Sequence, residues 1–341
     1  SVIVKQTGQN QKLLTIKTSR GQTLRCTPYH KFYVYENEKN KKEIMVEAQN
    51  LKEGMSLVNH DLPLIEETSE DEMKYSYTHG FFCADGTEGS SAIESRRCSF
   101  QAKMNGKCMR HQHNLSEHND DSTLCQANSY SKRKFVDLYH DKKELLQYIE
   151  HEYANVDHKM NKIRCALPYD VQEKYYVPIN QSLKVKLEWL AGYFDGDGCV
   201  VKHTGGKACS IQVASIHKEF LTDVQFLLQT LGVHTMLSLM RKKQKKEMPG
   251  GDYECKDLYR LMIHSNGVYH LKTIGFAPKR LKIDYDKPQR SAIHFNRIVS
   301  VDDFEEYDDT YCFNEPLKHK GIFNGILTGN CTEIMEYTAP D

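Results

Sequence analysis

The chain has 341 residues, 39% of them hydrophobic and 27% charged, and its 46 basic and 46 acidic side chains give a formal net charge of zero. This size and composition predict a folded protein of about two domains and exclude a disordered chain. Neutrality counts against a chain that is basic throughout, as many nucleic-acid-binding domains are. The charges are segregated, however: residues 241–246 read RKKQKK, and acidic runs lie at 66–72 and 302–309, so one basic face can form.

Targeting and redox signals point to the inside of a cell. The 11 cysteines are odd in number and irregularly spaced, and no apolar signal segment begins the chain, so we expect reduced thiols in an intracellular compartment that the sequence does not identify. No apolar run approaches the roughly 20 residues that cross a bilayer, so no membrane partner is predicted. The first residues, SVIVKQTG, enter a strand pattern without an initiator Met, and we expect a piece of a longer chain.

The two ends of the chain carry a β pattern. Residues 1–65 contain the alternating segments LLTIKT, TLRCT and KFYVYE between polar turns, and residues 44–58 continue the pattern. From residue 286 onward the same pattern returns in AIHFNRIVSVDDF, DTYCFNEP and KGIFNGILTGN. The sequence therefore predicts one β region that is split by an insert.

The insert, residues 66–285, mixes helix and strand patterns. Ser69, three residues before Glu72, predicts a capped helix start, and helical spacing recurs in residues 135–153. A second helix is predicted in LKVKLEWLAGYFDGDG, with Ser182 as its cap. The strand ACSIQVAS, a helix ending at Gly232 and the strand–helix pair YRLMIHS and VYHLKTIGF follow.

A nine-residue motif occurs twice in the insert, as THGFFCADG at 78–86 and LAGYFDGDG at 190–198. In each copy two small residues lie four positions apart: Gly80 with Ala84, and Gly192 with Gly196. This spacing puts both on one helix face, so that two helix backbones can approach closely.

An acid follows each small-residue pair, and these acids are the first candidate site. Asp85 and Asp197 are predicted to meet at one end of the paired helices. Two converging carboxylates can hold Mg²⁺ and activate water for phosphodiester hydrolysis.

The duplicated motif resembles that of the LAGLIDADG homing endonucleases, over roughly residues 70–283. The resemblance implies an α+β domain of two pseudo-symmetric halves, in which each motif helix precedes a curved antiparallel sheet that lies in the DNA major groove. It further implies a monomer that cleaves double-stranded DNA. Lys174 is similar to the family's lysine ahead of the second motif, which assists at the scissile phosphate; a solvated surface lysine is the alternative.

The first copy departs from the family pattern, because Thr78, His79 and Cys83 occupy positions that are usually apolar, small or acidic. We expect His79 to loosen the helix pair. Next to a DNA-binding sheet the basic run is expected to contact phosphates; its candidate residues are Arg241, Lys242, Lys243, Lys245 and Lys246.

Cysteine and histidine residues also cluster in the polar middle of the insert: Cys98, Cys108, His111, His113, His118 and Cys125. Zinc binding and a histidine-rich surface loop both remain open, because the spacings fit no common zinc module.

The flanking β region resembles the splicing domain of inteins. Thr27 and His30 match the TxxH block, and FNGILTGN followed by Cys331 is similar to the terminal block, with Asn330 as last intein residue. The resemblance implies an all-β Hint (hedgehog/intein) domain in which Thr27 and His30 polarise the upstream amide. Cys331 then accepts the acyl chain as a thioester and Asn330 cyclises to release the intein, without a cofactor.

Two departures from the intein pattern bear on the chemistry. Gly329 replaces the usual penultimate histidine, so His319 in EPLKHKGIF is the candidate general acid or base for Asn330. The N-terminal nucleophile block is missing, since Cys26 lies within the TxxH block; we expect it upstream.

Residues 331–341, CTEIMEYTAPD, resemble the stretch around an active-site cysteine in the large subunit of ribonucleotide reductase. The expected layout is a Hint domain in residues 1–65 and 286–330, an endonuclease in 66–285, and a covalently attached host stub in 331–341. Three function classes stay open: splicing with cleavage of the intein-free host gene, splicing with a decayed endonuclease, and a reductase fragment whose host part reduces ribonucleoside diphosphates.

Overall fold

The structure, a computed structural model, describes residues 3–60, 71–90, 103–104, 107–108, 132–202, 209–248, 251–283, 287–288, 295–313 and 315–330. It mixes α and β structure, as predicted. Among these residues no helix has the length and apolar character needed to span a membrane.

The elements are numbered in chain order. The first part of the chain contains β1 (Val4–Thr18), β2 (Thr23–Cys26), β3 (Lys31–Asn37), β4 (Lys42–Glu47) and β5 (Ser56–Leu57). The insert begins with α1 (Ser76–Asp85), β6 (Gly86–Ser90), β7 (Lys103–Met104), β8 (Lys107–Cys108), β9 (Lys132–Tyr139), β10 (Tyr153–Asp157) and β11 (Lys162–Ala166). It continues with α2 (Leu183–Asp197), β12 (Cys199–Lys202), β13 (Cys209–Ser215), α3 (Lys218–Thr230), β14 (Thr235–Arg241), β15 (Gln244–Met248), β16 (Gly251–Cys255), β17 (Leu258–Ile263) and α4 (Ser265–Thr273). The last part contains β18 (Asn296–Phe313), β19 (Lys320–Phe323) and β20 (Ile326–Gly329).

The two ends of the chain build one antiparallel sheet, in the order β19-β20-β3-β5-β18-β1-β2 with β4 paired to β3. Its long central pair joins β1 to β18, from Val4 opposite Phe313 to Thr18 opposite Ile298. Alternate strand residues supply the core of this sheet: Leu14, Ile16, Phe32, Val34, Leu57, Ile298 and Ile326. The β patterns at the two ends of the sequence therefore belong to one folded unit.

The insert consists of two halves with the same topology. After α1 the strands form a sheet in the order β6-β9-β11-β10, and after α2 they form one in the order β12-β13-β17-β14. With the separate hairpins β7–β8 and β15–β16 set aside, both sheets read first-second-fourth-third. The halves differ between their second and third strands, where residues 140–148 form 3-10 turns in the first half and α3 lies in the second. The predicted pseudo-symmetry therefore extends from the motif helices to the sheets.

The close helix approach predicted from the small residues is observed between α1 and α2. A Cβ atom on Gly80 would lie 2.0 Å from the carbonyl oxygen of Trp189, and one on Gly192 would lie 1.9 Å from that of Tyr77. Real atoms do not approach so closely, so any side chain at either glycine would push the helices apart. One turn further on, a Cβ on Gly196 would lie 2.3 Å from that of Ala84.

Helix boundaries confirm some predictions and correct others. The hydroxyl of Ser182 accepts the Val185 N–H as the cap of α2, and Gly232, with a φ of +72°, follows the end of α3 as predicted. The first motif helix begins only at Ser76, after Tyr75 in the left-handed region and without a side-chain cap. The helix start predicted near Glu72 is therefore wrong; Ser69 lies outside the described residues.

Residues 135–153 were expected to be helical but begin as strand β9 and continue as 3-10 turns. Val136 and Leu138 alternate into the core beneath α1, and this period of two is that of a strand. His140 then has a φ of +48°, which interrupts regular backbone. Tertiary packing of β9 between β6 and β11 thus overrides the local helical spacing.

The insert also contacts the split sheet. The carbonyl oxygen of Arg20 accepts the backbone N–H of Leu237 at 3.0 Å and the side-chain amide of Gln225 at 3.0 Å. Gly21, at a φ of +83°, leaves no room for a Cβ, which would lie 2.0 Å from the Leu237 oxygen. The β1–β2 turn is therefore packed against α3 and β14 of the insert.

Candidate functional site

The two motif acids occupy equivalent ends of the paired helices. Asp85 is the last residue of α1 and Asp197 the last of α2, and each helix is closed by the N–H of the next glycine. Burial of the carboxyl group and, second, the charge of Asp85 raise the pKa of Asp197 to about 6. Since Ala84 and Gly196 touch one residue before the acids, the predicted convergence of the two carboxylates is present in the fold.

Basic side chains surround the two acids. Lys142, from the 3-10 segment, forms an ion pair with Asp85. Lys174 donates from Nζ to the carbonyl oxygen of Gly86, the residue that closes α1. Arg280 donates from Nη2 to the carbonyl oxygen of Gly198 at 3.3 Å, the residue that closes α2, so Lys174 and Arg280 hold equivalent positions in the two halves.

Sequence reasoning found Lys174 but missed Lys142 and Arg280. The charges of all three cations act to lower the pKa of Asp197, which shows that they lie around the same pair of acids. Lys142 is one of two adjacent lysines in a segment whose spacing predicts a helix, and Arg280 follows α4 outside any motif. The duplicated layout of the halves is the one signal that could have found Arg280, as the counterpart of Lys174.

The second acid of the second motif, Asp195, has a structural role. Its fully buried carboxylate accepts the backbone N–H groups of residues 279–281 at 2.6–3.0 Å and the hydroxyl of Tyr77 at 2.8 Å. These contacts fix the segment that carries Arg280 against α2. Asp197 makes no such contacts with backbone in the described part of the chain, so its carboxylate remains available to take part in a reaction.

His79 bridges the helix pair instead of loosening it, which corrects the expectation from the motif. It is fully buried; Trp189 Nε1 of α2 donates to its Nδ1 at 2.8 Å, and its Nε2 lies 3.0 Å from the carbonyl oxygen of Glu173. Because Nδ1 must accept, the ring is neutral and its proton lies on Nε2, which donates to Glu173. Burial lowers the pKa of His79 to about 4.

This histidine predicts a specific acid sensitivity. Since the pKa of His79 falls from 6.5 to about 4 on folding, the unfolded chain binds the extra proton between these values. The stability that depends on a neutral His79 is fully present above pH 6.5. As the pH falls toward 4, up to about 3 kcal/mol of the free energy of unfolding is lost. His79→Gln, which can keep both hydrogen bonds without titrating, should flatten this part of the stability curve.

Urea unfolding of both proteins at pH 7.5 and pH 4.5 measures the difference. The wild type should lose more free energy of unfolding between the two pH values than His79→Gln does. Equal losses in the two proteins would show that His79 is not the titrating group.

The predicted Mg²⁺ ligands suit a hard divalent cation. Asp85 and Asp197 offer carboxylate oxygens, which Mg²⁺ prefers, and Mg²⁺ usually keeps several waters and takes one or two carboxylates. Burial and, second, repulsion from Asp85 raise the pKa of Asp197, and a bound cation would relieve the repulsion. Among the described residues no group of three or more His, Cys, Asp or Glu is arranged to hold a metal ion.

The basic run lies at the end of the second half's sheet. Arg241 ends β14, residues 242–243 form a link, and residues 244–248 form the hairpin strand β15. The side chains of Arg241, Lys242, Lys243 and Lys245 are exposed; that of Lys246 lies outside the described part. The run is therefore accessible to a polyanion, as its predicted role requires.

The predicted splicing residues Thr27 and His30 meet in the turn between β2 and β3. Thr27 is buried, and its carbonyl oxygen accepts the His30 N–H at 3.1 Å. Burial lowers the pKa of His30, so its ring is mainly neutral at neutral pH. Both residues line a cavity of about 460 Å³ that Cys312 also lines.

Asn330 lies next to this cavity, at the end of β20. It is 6% exposed, and its backbone N–H donates to the carbonyl oxygen of His319 at 2.8 Å. Its side-chain Oδ1 accepts from the Cys312 thiol at 2.9 Å, whereas its Nδ2 has no hydrogen-bond partner in the part of the chain that the structure describes. The contact with His319 is thus made by the backbone; the imidazole of His319 is exposed.

Cys312 was not singled out by the sequence, where it is one cysteine in a strand pattern. Cys331 and residues 332–341 lie outside the described residues, as does most of the Cys/His cluster; of Cys108 only the backbone, in β8, is described. The cysteines whose side chains are described are free thiols: Cys26, Cys83, Cys165, Cys199, Cys209, Cys255 and Cys312.

Comparison with known families supports the class of the insert. Residues 184–309 match the family model of the LAGLIDADG-like domain. This range begins in α2, covers the second half and ends within β18. The chain therefore contains a LAGLIDADG-like domain; the match includes the second motif, and the first is related to it by the shared topology of the two halves.

Comparison of the whole chain with curated proteins finds ribonucleotide reductase large subunits among its relatives. It is 38% identical over 98% of its length to the ribonucleoside-diphosphate reductase large subunit of Invertebrate iridescent virus 6, of which it covers 32%. It is 24% identical over 97% of its length to the ribonucleoside-diphosphate reductase NrdEB subunit alpha of Bacillus subtilis (strain 168), of which it covers 31%. The chain thus spans about a third of the length of these relatives.

Among solved structures, the homing endonuclease I-DmoI in complex with DNA and Ca is a neighbour, with a TM-score of 0.34 and 11% identity over 59% of this chain and 87% of that one. The family match and the reductase relatives together confirm the resemblances that the motifs carry, to the LAGLIDADG family and to a ribonucleotide reductase large subunit. They are what is expected of an intein with an embedded LAGLIDADG domain in a ribonucleotide reductase large subunit.

Proposed function

We propose that the insert, residues 66–285, is a homing endonuclease that cleaves double-stranded DNA of the intein-free host gene. The observation that carries this proposal is the pair of helices that ends in Asp85 and Asp197 with three cations around them. The equivalent sheets that follow the helices support a monomer that reads a long asymmetric site.

The residues divide the work at the scissile phosphates. Asp85 and Asp197 would hold Mg²⁺, which activates water and polarises the phosphate when bound. Lys174 and Arg280, anchored on the glycines that close the helices, would balance the negative charge that develops on the phosphate oxygens. Lys142 balances the charge of Asp85 before DNA arrives. The exposed residues Arg241, Lys242, Lys243 and Lys245, together with Lys246, would contact the DNA backbone away from the acids.

A plasmid that carries the uninterrupted host gene tests the endonuclease. Incubation with the purified protein and MgCl₂ should linearise it at one position, and EDTA should prevent this. A plasmid in which the insertion site is already occupied is the matched control and should stay intact. Binding without cleavage in Mg²⁺ would favour the alternative, a splicing element with a decayed endonuclease.

We further propose that residues 1–65 and 286–330 form a Hint domain that splices a ribonucleotide reductase large-subunit precursor, with residues 331–341 as host stub. The observation that favours this second function is Asn330, buried and held at the end of a sheet that both ends of the chain build. Thr27 and His30 would activate the upstream amide, and the thiol of Cys331 would take the acyl chain. The reducing interior of a cell would keep that thiol reactive.

The release step is intramolecular and uses no cofactor. Asn330 Nδ2 attacks its own carbonyl carbon, a C–N bond forms, and the peptide bond to Cys331 breaks. Nδ2 loses one proton and the departing amine gains one, so the step balances. The flanking host segments are then joined by an acyl shift from sulfur to nitrogen.

Expression of the complete precursor gene with both flanks tests splicing. Mass spectrometry should find a ligated host protein and a free insert that ends at Asn330. A single unprocessed chain would limit the function to the endonuclease. Host sequence that runs uninterrupted on both sides, with no excised product, would instead favour a reductase fragment.

A further inference from the structure

The carboxamide of Asn330 is held at one atom and free at the other. Cys312 Sγ donates to Oδ1 at 2.9 Å, and Nδ2, the atom that must attack, has no hydrogen-bond partner among the described residues, although Asn330 is 6% exposed. A buried amide group without a partner costs free energy, so such groups are rare in folded proteins. Nδ2 is therefore the atom of this side chain that the described contacts leave available to react.

The hydrogen bond between Cys312 and Asn330 joins two buried residues that are held by the strands around them. Cys312 lies near the end of β18, where it is 7% exposed and faces Lys5 of β1 in the sheet register. Asn330 follows β20, and its backbone is fixed by the carbonyl oxygen of His319. The asparagine is therefore anchored at two points, its backbone by His319 and its side chain by Cys312.

Gly329 stands where inteins usually have a histidine before the terminal asparagine. Gly329 has no side chain, and a Cβ at that position would lie 3.1 Å from the Cβ of Lys31, so a histidine there would meet β3. The imidazole of His319 is exposed, and the described contact between His319 and Asn330 is through the backbone. Among the described residues, Cys312 is the side chain that hydrogen-bonds to the reacting amide.

We propose that Cys312 is a positioning residue for Asn330 cyclisation. The proposal rests on the splicing function above. With Oδ1 tied to the thiol, the carboxamide is held in one orientation and Nδ2 is left as the free nucleophile. The donor also favours the reaction electronically, because loss of the Nδ2 proton places negative charge mainly on Oδ1, where the S–H group stabilises it. The thiol itself is neither oxidised nor acylated.

The test uses the complete precursor and three variants. Cys312→Ala removes the donor, Cys312→Ser retains one as a hydroxyl, and Cys165→Ala, a buried cysteine on β11 of the insert, is the control. The rate of release at Asn330 and the amount of branched intermediate are measured by gel electrophoresis and mass spectrometry. Dithiothreitol-induced cleavage at the N-terminal junction reports separately that the splicing domain is folded and makes its thioester.

We expect Cys312→Ala to slow release at Asn330 by about tenfold or more, with accumulation of the branched intermediate, while dithiothreitol-induced cleavage continues. Cys312→Ser should stay within about threefold of the wild type, since a hydroxyl also donates, and Cys165→Ala should match it. If Cys312 had only a structural role, its replacement would slow cleavage at both junctions together.

Release at the wild-type rate in Cys312→Ala would overturn the proposal, as would slow release in Cys312→Ser with N-terminal cleavage intact. If Cys312→Ala loses N-terminal cleavage through misfolding, the rate of Cys312→Ser decides the matter. A wild-type precursor that gives neither spliced protein nor dithiothreitol-induced cleavage would instead refute the splicing function itself.

Discussion

Asp197→Asn is expected to reduce DNA cleavage by about a thousandfold, and Asp85→Asn to do the same, while DNA binding persists. An amide cannot hold a divalent cation as a carboxylate does, and the two acids sit together at the ends of α1 and α2. Removing one negative charge should also leave binding of the DNA polyanion unchanged or stronger. Linearisation of the target plasmid and a gel-shift assay measure the two properties.

Asp223→Asn is the matched control, because Asp223 is exposed on α3 and undergoes the same chemical change; it should cleave at the wild-type rate. Asp195→Asn should differ from both, since loss of the carboxylate that binds residues 279–281 destabilises the fold. Wild-type cleavage by the Asp85 and Asp197 variants would place the active site elsewhere in the molecule.

Asn330→Ala is expected to abolish release of the host segment that follows it, because alanine has no amide nitrogen to attack the carbonyl carbon. Cleavage at the N-terminal junction should continue, so the branched intermediate should accumulate. Asn50→Ala, at an exposed position outside the site, is the control and should splice normally. Mass spectrometry of the precursor products measures both; a free C-terminal host segment from Asn330→Ala would show that another route breaks this bond.

These outcomes separate the two functions of the chain. The Asp85 and Asp197 variants should splice normally, since the acids lie at the ends of the insert's helices and Asn330 lies on the sheet built by the chain ends. The Asn330 variant should cleave DNA normally for the same reason. The insert does contact the sheet, through Arg20 and Gly21 against Leu237, so stability is the property in which the two parts depend on each other.

Local spacing determined the central features of the insert. Glycines four residues apart lie on one helix face whatever surrounds them, because the helix repeats every 3.6 residues. The motif letters alone therefore predicted the close approach of the helices at Gly80 and Gly192 and the meeting of Asp85 with Asp197. The alternation of strand residues likewise predicted β structure at both ends of the chain, and the shared motif predicted two equivalent halves.

Contacts between residues distant in sequence were decided by the tertiary structure. Cys312, near the end of β18, meets Asn330, after β20, although β3 and β5 lie between these two strands in the sheet order. Arg280 reaches Gly198 because Asp195 binds the backbone of residues 279–281. His79 departs from the motif pattern, but both of its ring nitrogens form hydrogen bonds. One is with Trp189 of the facing helix and the other with the carbonyl oxygen of Glu173. Residues 135–153 became strand and turns because β6 and β11 pair with β9 on both sides.

By itself, then, the sequence determined which helix faces meet, where the acids lie and that the two ends of the chain form strands, since these follow from the repeat of the local backbone. Other features were decided only when distant segments packed together. These are the polar side chains that surround the acids, the thiol that touches Asn330 and the hydrogen bonds that keep His79 in its neutral form. The physical reason is that a hydrogen bond or ion pair between such segments depends on sheet register and helix crossing, and neither is encoded within any one segment.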